Sequence, residues 1–378
     1  MNIPVTRPHF DQAEEEAVIE VLRSGWVSQG PKVAHFEAAL AEYHEAKYAV
    51  ATTSCTTALH LVLASLEIGR GDEVVMPAFT FVATANAVEY LGGTPVFADI
   101  EIDTFNVSVE SIKAKLTPRT RAIIPVHLFG LSADMDPIMA LARARGLAVI
   151  EDAACAVGTR YRGRRVGALG TAGAFSFHPR KVITTGEGGA VTTNDEALYR
   201  RLCVLRNHGA KLSDLERHRS DAFTLPEYDE VGFNYRMTDL QAAIGLVQLG
   251  KVDKLIAQRQ SLARRYTRAF ASLTGLKTPT EPDGDTHPYQ SYVLLVEARA
   301  QKSRDELATA LSAAGISVRQ GTHAVHALGY YRGKYDLKEA DCPNSWAADR
   351  RSLTLPLYPD MDEATQDRVI AAVRDLWR

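Results

Sequence analysis

The chain has 378 residues, enough for one large domain and a smaller one and too many for a single simple core. Hydrophobic residues make up 46% and charged residues 24%, and the formal net charge of -3 gives no footprint for nucleic acid or an anionic membrane, so an anionic substrate requires a local basic site. Met1 to Phe10 shows no secretory pattern, no window approaches a membrane span, and the four scattered cysteines form no C-x-x-C pair, so a cytoplasmic protein with reduced thiols is expected.

From the amino terminus to about residue 45 the pattern is a helical arm. Gln12 to Arg23 carries apolar residues at helical spacing, the loop Ser24-Gly25-Trp26-Val27-Ser28-Gln29-Gly30-Pro31 stops it, and a second helix is expected from Val33 to Tyr43. A regular alternation follows. Short apolar runs at Tyr48–Thr52, Glu73–Met76, Pro95–Asp99, Ala122–His127 and Ala148–Glu151 read as buried strands, with helix-like stretches such as Ala58–Leu66, Ala83–Leu91 and Asp136–Arg145 between them. This spacing predicts an α/β fold, a mostly parallel sheet between helices. Two further strands, Ala174–Phe177 and Ala190–Thr193, flank a glycine-rich turn. Asn207 to Arg236 is polar and without periodicity, and so long a connection suggests a functional loop or a partner contact. A long helix from Asp239 to Phe270 leads into a smaller α+β unit with a strand at Tyr292–Val296 and helices at Ser303–Ala314 and Asp362–Leu376. The boundary is placed at residue 250, giving a large domain of 1–250 and a small one of 251–378.

Ligands of open parallel sheets bind at the carboxyl ends of the strands, and four segments there carry chemistry. In Ser176-Phe177-His178-Pro179-Arg180-Lys181, followed by Thr184-Thr185-Gly186-Glu187-Gly188-Gly189, a strand delivers a serine and a lysine into a glycine-rich connection. A partly desolvated lysine is nucleophilic; the plain alternative is a hairpin turn with a solvent-facing lysine. In Ala148-Val149-Ile150-Glu151-Asp152, the terminal aspartate stands where a protonated ring nitrogen could pair with it, or where it could cap a following helix. The hydroxyl cluster Thr52-Thr53-Ser54-Cys55-Thr56-Thr57 opens a helix, as a phosphate cup or as an ordinary N-cap. In Pro77-Ala78-Phe79-Thr80-Phe81-Val82-Ala83-Thr84, either aromatic could stack on a planar ring or fill the core. An amine, an acid, a phosphate cup and an aromatic face together form the inventory that pyridoxal phosphate requires.

Nearly end to end, from Ser24–Glu37 to Leu355-Pro356-Leu357-Tyr358, the chain resembles the DegT-type nucleotide-sugar aminotransferases, a branch of the fold-type I pyridoxal-phosphate enzymes. The most specific matches are Ser176–Lys181 with Gly186–Gly189, and Gly232-Phe233-Asn234-Tyr235-Arg236-Met237-Thr238-Asp239. Pro77–Asn86, Pro125–Gly130 and Glu151–Ala154 also match. The resemblance implies that Lys181 is the Schiff-base lysine and Asp152 the partner of the pyridine nitrogen. It also implies phosphate ligands at Thr56 and Ser176 with the amides of Cys55 and Thr56, ring stacking by Phe81, and a contact from Asn234 to the phosphate of the neighbouring subunit's cofactor. A homodimer with shared active sites follows. Cys155 stands where many relatives have glutamine or histidine near the cofactor hydroxyl, which leaves that contact in doubt, and Cys55 replaces the commoner glycine of the phosphate loop.

On the substrate side, Arg319-Gln320-Gly321-Thr322-His323-Ala324-Val325-His326 resembles the family's sugar-facing stretch, with His323 and His326 as contacts and surface histidines as the alternative. No close-spaced further ligands support a metal. Trp26 and Gln29 are further candidates for sugar or nucleotide contact, and Arg236, Arg319 and Arg332 for a diphosphate. The reaction implied is transfer of an amino group from an amino acid, glutamate in most of the family, to a nucleotide-linked keto-sugar, with a 4-keto-6-deoxy sugar favoured. A cyclitol or other keto substrate, or a non-catalytic regulator that binds pyridoxal phosphate, is the alternative. A nicotinamide enzyme would need a G-x-G-x-x-G turn, and none follows Tyr48–Thr52.

Overall fold

The computed structural model describes residues 2–211 and 227–377. The middle of the irregular stretch expected between Asn207 and Arg236 thus lies outside the described residues, while its two ends meet through backbone bridges between Asn207 and Asn234 and between Ala210 and Tyr228.

Among the described residues, ten strands precede the long helix: β1 (Tyr48–Thr52), β2 (Glu73–Pro77), β3 (Phe79–Thr80), β4 (Thr94–Ala98), β5 (Thr120–Ile123), β6 (Ala148–Asp152), β7 (Arg160–Tyr161), β8 (Arg164–Arg165), β9 (Ala172–Ser176) and β10 (Gly189–Thr193). Seven of them form one sheet in the order β1-β10-β9-β6-β5-β2-β4. The pairs from β9 through to β4 are all parallel, whereas β10 runs antiparallel to both β9 and β1. The sheet is therefore mostly parallel with one reversed strand, β10, which returns beside β9 after the glycine-rich connection. Core clusters cover both faces. One contains Phe36, Val75, Val149, Phe175 and Val252, the other Leu59, Val62, Val74, Val88 and Leu202, and β2 sends alternate residues, Val74 and Val75, into each.

The expected Ala122–His127 strand stops its regular pairing at Ile123. Pro125 has no N–H to give, and beyond a single Val126–Asp152 bridge the chain tightens into a short 3-10 turn, Leu128–Gly130, with Phe129 at φ 58°. The helices Val109–Lys115 and Glu196–Arg206, the β7–β8 hairpin and the strand Ser352–Leu355 have no counterpart in the sequence reading.

The helix Asp239–Phe270 runs unbroken for 32 residues. Its first half buries Ala242, Leu249, Val252 and Ile256 in the large sheet's core, and its second half buries Ala263, Tyr266 and Phe270 in another core with Tyr292, Leu307, Leu353 and Val369. That second core lies on a three-stranded antiparallel sheet of Leu276–Lys277, Tyr292–Val296 and Ser352–Leu355, and Ile3 from the amino terminus also packs into it. Among the described residues no helix is long and apolar enough to cross a membrane.

Candidate active site

β1, β6 and β9 end at Thr52, Asp152 and Ser176, and β10, reversed, begins at Gly189, so four functional positions arrive at the same edge of the sheet. Gly189 sits in register between Ser176 and Thr52. A side chain there would place its Cβ 2.3–2.5 Å from the backbone of Ser54 and Cys55, so only glycine lets the strand meet the start of the helix Cys55–Ser65. That helix is N-capped: Ser54 Oγ accepts from the Thr57 N–H at 3.1 Å, and the Thr57 hydroxyl donates back to the Ser54 carbonyl at 2.8 Å. The cap leaves the N–H groups of Cys55 and Thr56 at the first two helical positions without intrahelical acceptors. The Thr56 hydroxyl has no partner among the described residues. N-cap and anion cup coexist in one structure, with Ser176 buried one strand beyond Gly189. The Cys55 thiol is buried, and burial together with the nearby Asp152 charge pushes its pKa well up.

Asp152 is buried at the tip of β6. Its Oδ2 accepts from the Thr84 hydroxyl at 2.7 Å and its Oδ1 from the Ala154 N–H at 3.2 Å. No salt bridge neutralises it among the described residues; burial pushes its pKa up, opposed by these two hydrogen bonds and by the charge of Lys181. The helix that a capping role would need does not follow, since residues 153 to 159 run as turns. The adjacent Glu151 points to the other face and is fully occupied: it accepts the N–H groups of Gly167, Leu169 and Gly170, and His127 Nε2 lies 2.9 Å away. Because the Ala133 N–H donates to His127 Nδ1, Nε2 carries the proton shared with Glu151.

Beyond β9 the chain closes a turn in which the Lys181 N–H donates to the His178 carbonyl at 2.8 Å. The hairpin reading of this segment describes its shape, but Lys181 is half-buried and its Nζ donates to Cys155 Sγ at 3.2 Å. Phe79 is fully buried in a core with Phe105 and Phe129, whereas Phe81 is 61% exposed. The strand His323–Ala324 pairs antiparallel with β3, setting His323 opposite Thr80, the neighbour of Phe81. The His323 ring is held by Gln320, with Nε2 of the amide 2.7 Å from Nδ1. The C-terminal unit thereby reaches the edge where Lys181 and Asp152 stand.

Other expected residues are placed elsewhere. His326 is fully enclosed, with Nε2 3.4 Å from the Glu339 carbonyl, and burial lowers its pKa. This corrects the surface-histidine alternative: the 3-10 turn Val325–Ala327 buries the residue. Asn234 is exposed and does not enter this chain's own site. Trp26 lies over Gly30, donating from Nε1 to the Gln29 carbonyl at 3.1 Å, and the Gln29 Oε1 is buried without a partner. Their loop is anchored by Asp239, whose carboxylate accepts the N–H groups of Gly30, Lys32 and Val33. Gln241, two residues along the same helix, donates to the Glu187 carbonyl of the glycine-rich turn. Arg236 donates to Asn207, and Arg332 is exposed on the helix Gly329–Tyr335. Thr84 was not singled out by the sequence reading. The available signal was a hydroxyl at the second position of the helix Ala83–Glu89.

The sequence profile described as the DegT/DnrJ/EryC1/StrS aminotransferase family matches residues 8–374. The chain is 44% identical over 377 residues to the spore coat polysaccharide biosynthesis protein SpsC of Bacillus subtilis (strain 168), covering 99% of this chain and 97% of that protein. It superposes on an aminotransferase from Psychrobacter cryohalolentis at 35% identity and a TM-score of 0.93, covering 100% and 99% of the two chains. The putative sugar aminotransferase Spr1654 of Streptococcus pneumoniae, at 28% identity, matches in its PMP form with a TM-score of 0.93 and in its PLP form with 0.92, each covering 100% of this chain and 99% of that one.

Proposed function

The chain belongs to the DegT/DnrJ/EryC1/StrS aminotransferase family of pyridoxal-phosphate-dependent sugar aminotransferases, and from that premise we propose that it transfers the amino group of L-glutamate to the ketone of a nucleotide-linked 4-keto-6-deoxy sugar. The observation that carries the reading is the pairing of a half-buried amine, Lys181, with a buried carboxylate, Asp152, that lacks a salt bridge among the described residues. The likeness to a spore coat polysaccharide biosynthesis protein supports an amino-sugar precursor as the product.

The residues present fit the cofactor on three counts. A buried carboxylate without a cation suits a protonated ring nitrogen. Two unpaired helix-start amides with the Thr56 and Ser176 hydroxyls suit a phosphate, and an exposed Phe81 suits a ring face. When bound, pyridoxal phosphate supplies an aldehyde carbon for covalent attachment and a ring that takes up the electron pair released from a substrate carbon.

Asp152, oriented by Thr84, would keep a proton on the ring nitrogen. Lys181 Nζ would hold the cofactor through its aldehyde carbon and, as a free amine, would take and return the proton at the reacting carbon of the amino donor and then of the sugar. Cys155, in hydrogen-bond contact with Nζ, sits where it can hold the resting amine in place. His323, Trp26 and Gln29 are assigned to the sugar-nucleotide side.

Asn234 is exposed near Val231, an apolar residue 89% exposed, and this arrangement supports a homodimer in which Asn234 reaches the partner's cofactor phosphate. Mixing Asn234→Ala with Lys181→Ala subunits is expected to restore part of the activity absent from the Lys181→Ala homodimer; no recovery would remove the shared site. For the reaction itself, glutamate is supplied with a panel of nucleotide-linked 3-keto and 4-keto sugars, and mass spectrometry should show one of the 4-keto compounds gaining an amine. Borohydride treatment and digestion should leave a pyridoxyl label on the peptide containing Lys181. A label elsewhere, or none, would falsify the lysine assignment.

A further inference from the structure

Asp152 ends a chain of side-chain hydroxyls whose direction is fixed. A hydroxyl inside a helix can donate to the carbonyl four residues back, as Ser65 does to Leu61 and Thr309 to Asp305. Thr84, at the second position of the helix Ala83–Glu89, instead donates at 2.7 Å to Asp152 Oδ2. An ionised carboxylate only accepts and a hydroxyl has one proton, so Thr84 has none left for its other contact. That contact is Thr80, whose Oγ1 lies 3.2 Å from Thr84 Oγ1. Thr80 therefore donates to Thr84, and Thr84 to Asp152. Both threonines are buried, so water does not stand in for either partner.

The seat of Thr80 is set from the C-terminal unit. β3 pairs with His323–Ala324, with Thr80 opposite His323 and Phe79 opposite Ala324. The Val325 N–H donates to the Ala78 carbonyl at 2.7 Å, and the Ala324 N–H donates to Asp349 Oδ1 at 2.9 Å. The C-terminal strand thus holds the backbone of Thr80, and the Thr80 hydroxyl holds Thr84. Accepting a hydrogen bond polarises a hydroxyl and strengthens the one it gives. A second bond also restricts the choice between the two side-chain rotamers open to a helical threonine. Burial raises the Asp152 pKa, and the Thr84 hydrogen bond opposes that rise. A carboxylate held in this way leaves a shared proton on the ring nitrogen facing it.

We propose that Thr80 is a positioning residue for the reaction, acting through Thr84 to fix and strengthen the hydrogen bond that Asp152 receives while it faces the cofactor's ring nitrogen. The assignment rests on the reading of Asp152 as the partner of that nitrogen. It gives the β3 pairing a second task. The strand that carries His323 to the edge of the site also seats the outermost hydroxyl of the chain.

The test compares pyridoxal phosphate with an analogue carrying carbon in place of the ring nitrogen. Each is titrated into the cofactor-free full-length protein at neutral pH and followed by quenching of protein fluorescence. Both bring the same aldehyde and phosphate, so the contact with Asp152 is what differs. Thr80→Val is expected to weaken pyridoxal phosphate about three- to tenfold and the analogue less than about twofold, with Thr80→Ser close to the parent. In a Thr84→Val background, adding Thr80→Val should weaken pyridoxal phosphate no further, because the path to Asp152 is already cut. Unchanged affinity in Thr80→Val, equal weakening of both ligands, or additive losses in the double variant overturns the assignment. Where Thr80→Val does not fold, Thr80→Ala, which also removes the hydroxyl, is held to the same outcomes. The parent protein separates the two levels. Equal affinity of the parent for both ligands removes the reading of Asp152, whereas a parental preference for pyridoxal phosphate that Thr80→Val retains in full removes only the role of Thr80.

Discussion

Asp152 is held by one hydroxyl and one amide in a place where water does not reach, and burial accordingly pushes its carboxyl pKa above the ordinary range. A carboxyl whose folded pKa is raised favours the fold only while protonated, and that contribution is lost as the pH rises through the folded value. At neutral pH the ionised group therefore costs the cofactor-free protein stability. Asp152→Asn should raise the melting temperature of the cofactor-free protein at neutral pH, and the gain should fade on acidification below the raised pKa. Activity should fall more than about a hundredfold, because an ion pair of roughly 3 kcal/mol or more is lost. A variant that melted lower than the parent at neutral pH, with activity retained, would remove this account. The same residue shows what a sequence can offer: a carboxylate at a strand end is legible, but Thr84, 68 positions away, becomes its partner only through the fold.

Among elements, the meeting of β10 with the helix Cys55–Ser65 depends on one missing side chain. Gly189→Ala drives a Cβ into the Ser54–Cys55 backbone, and since backbone cannot swing aside, strand and helix must separate. Overpacking of this kind costs about 1–3 kcal/mol. The helix-start amides should then turn away from Ser176, so the variant should melt several degrees lower and lose its cofactor on gel filtration, measured as absorbance retained by the protein peak. Full retention with an unchanged melting temperature would show that the contact is not required. The elements that bring the C-terminal unit to the site were not legible. β3 and the strand His323–Ala324 are two residues each, too short for a period to register, and their pairing is created by the packing around them.

Over the whole molecule, two buried histidines set the acid limit. His44 and His287 have pKa values pulled down to about 3 by burial, against about 6.5 for an exposed imidazole. His44 donates from Nδ1 to the Val166 carbonyl, and His287 Nδ1 accepts the Tyr289 N–H, so neither has a counter-ion ready for a second proton. Between these values the unfolded chain binds more protons than the folded one, so stability falls as the pH drops below about 6.5 and continues to fall towards about 3. His287→Asn keeps an acceptor for the Tyr289 N–H without a basic site. It should flatten the acid limb of a plot of denaturant stability against pH between 7 and 4, and curves that stay parallel to the parent's would show that His287 does not contribute.

The sequence by itself determined the alternation of buried strands and helices, the glycine-rich return that carries Lys181, the acid at the end of β6 and the hydroxyls that open a helix, because periodicity, turn chemistry and capping are local and act within a few residues. The tertiary structure decided what proximity alone creates. It reversed β10 within the sheet, enclosed His326, and left Phe81 bare while burying Phe79. Each of these depends on which distant segments are packed together and on what solvent is excluded when they meet, and neither is encoded in the spacing of neighbouring residues.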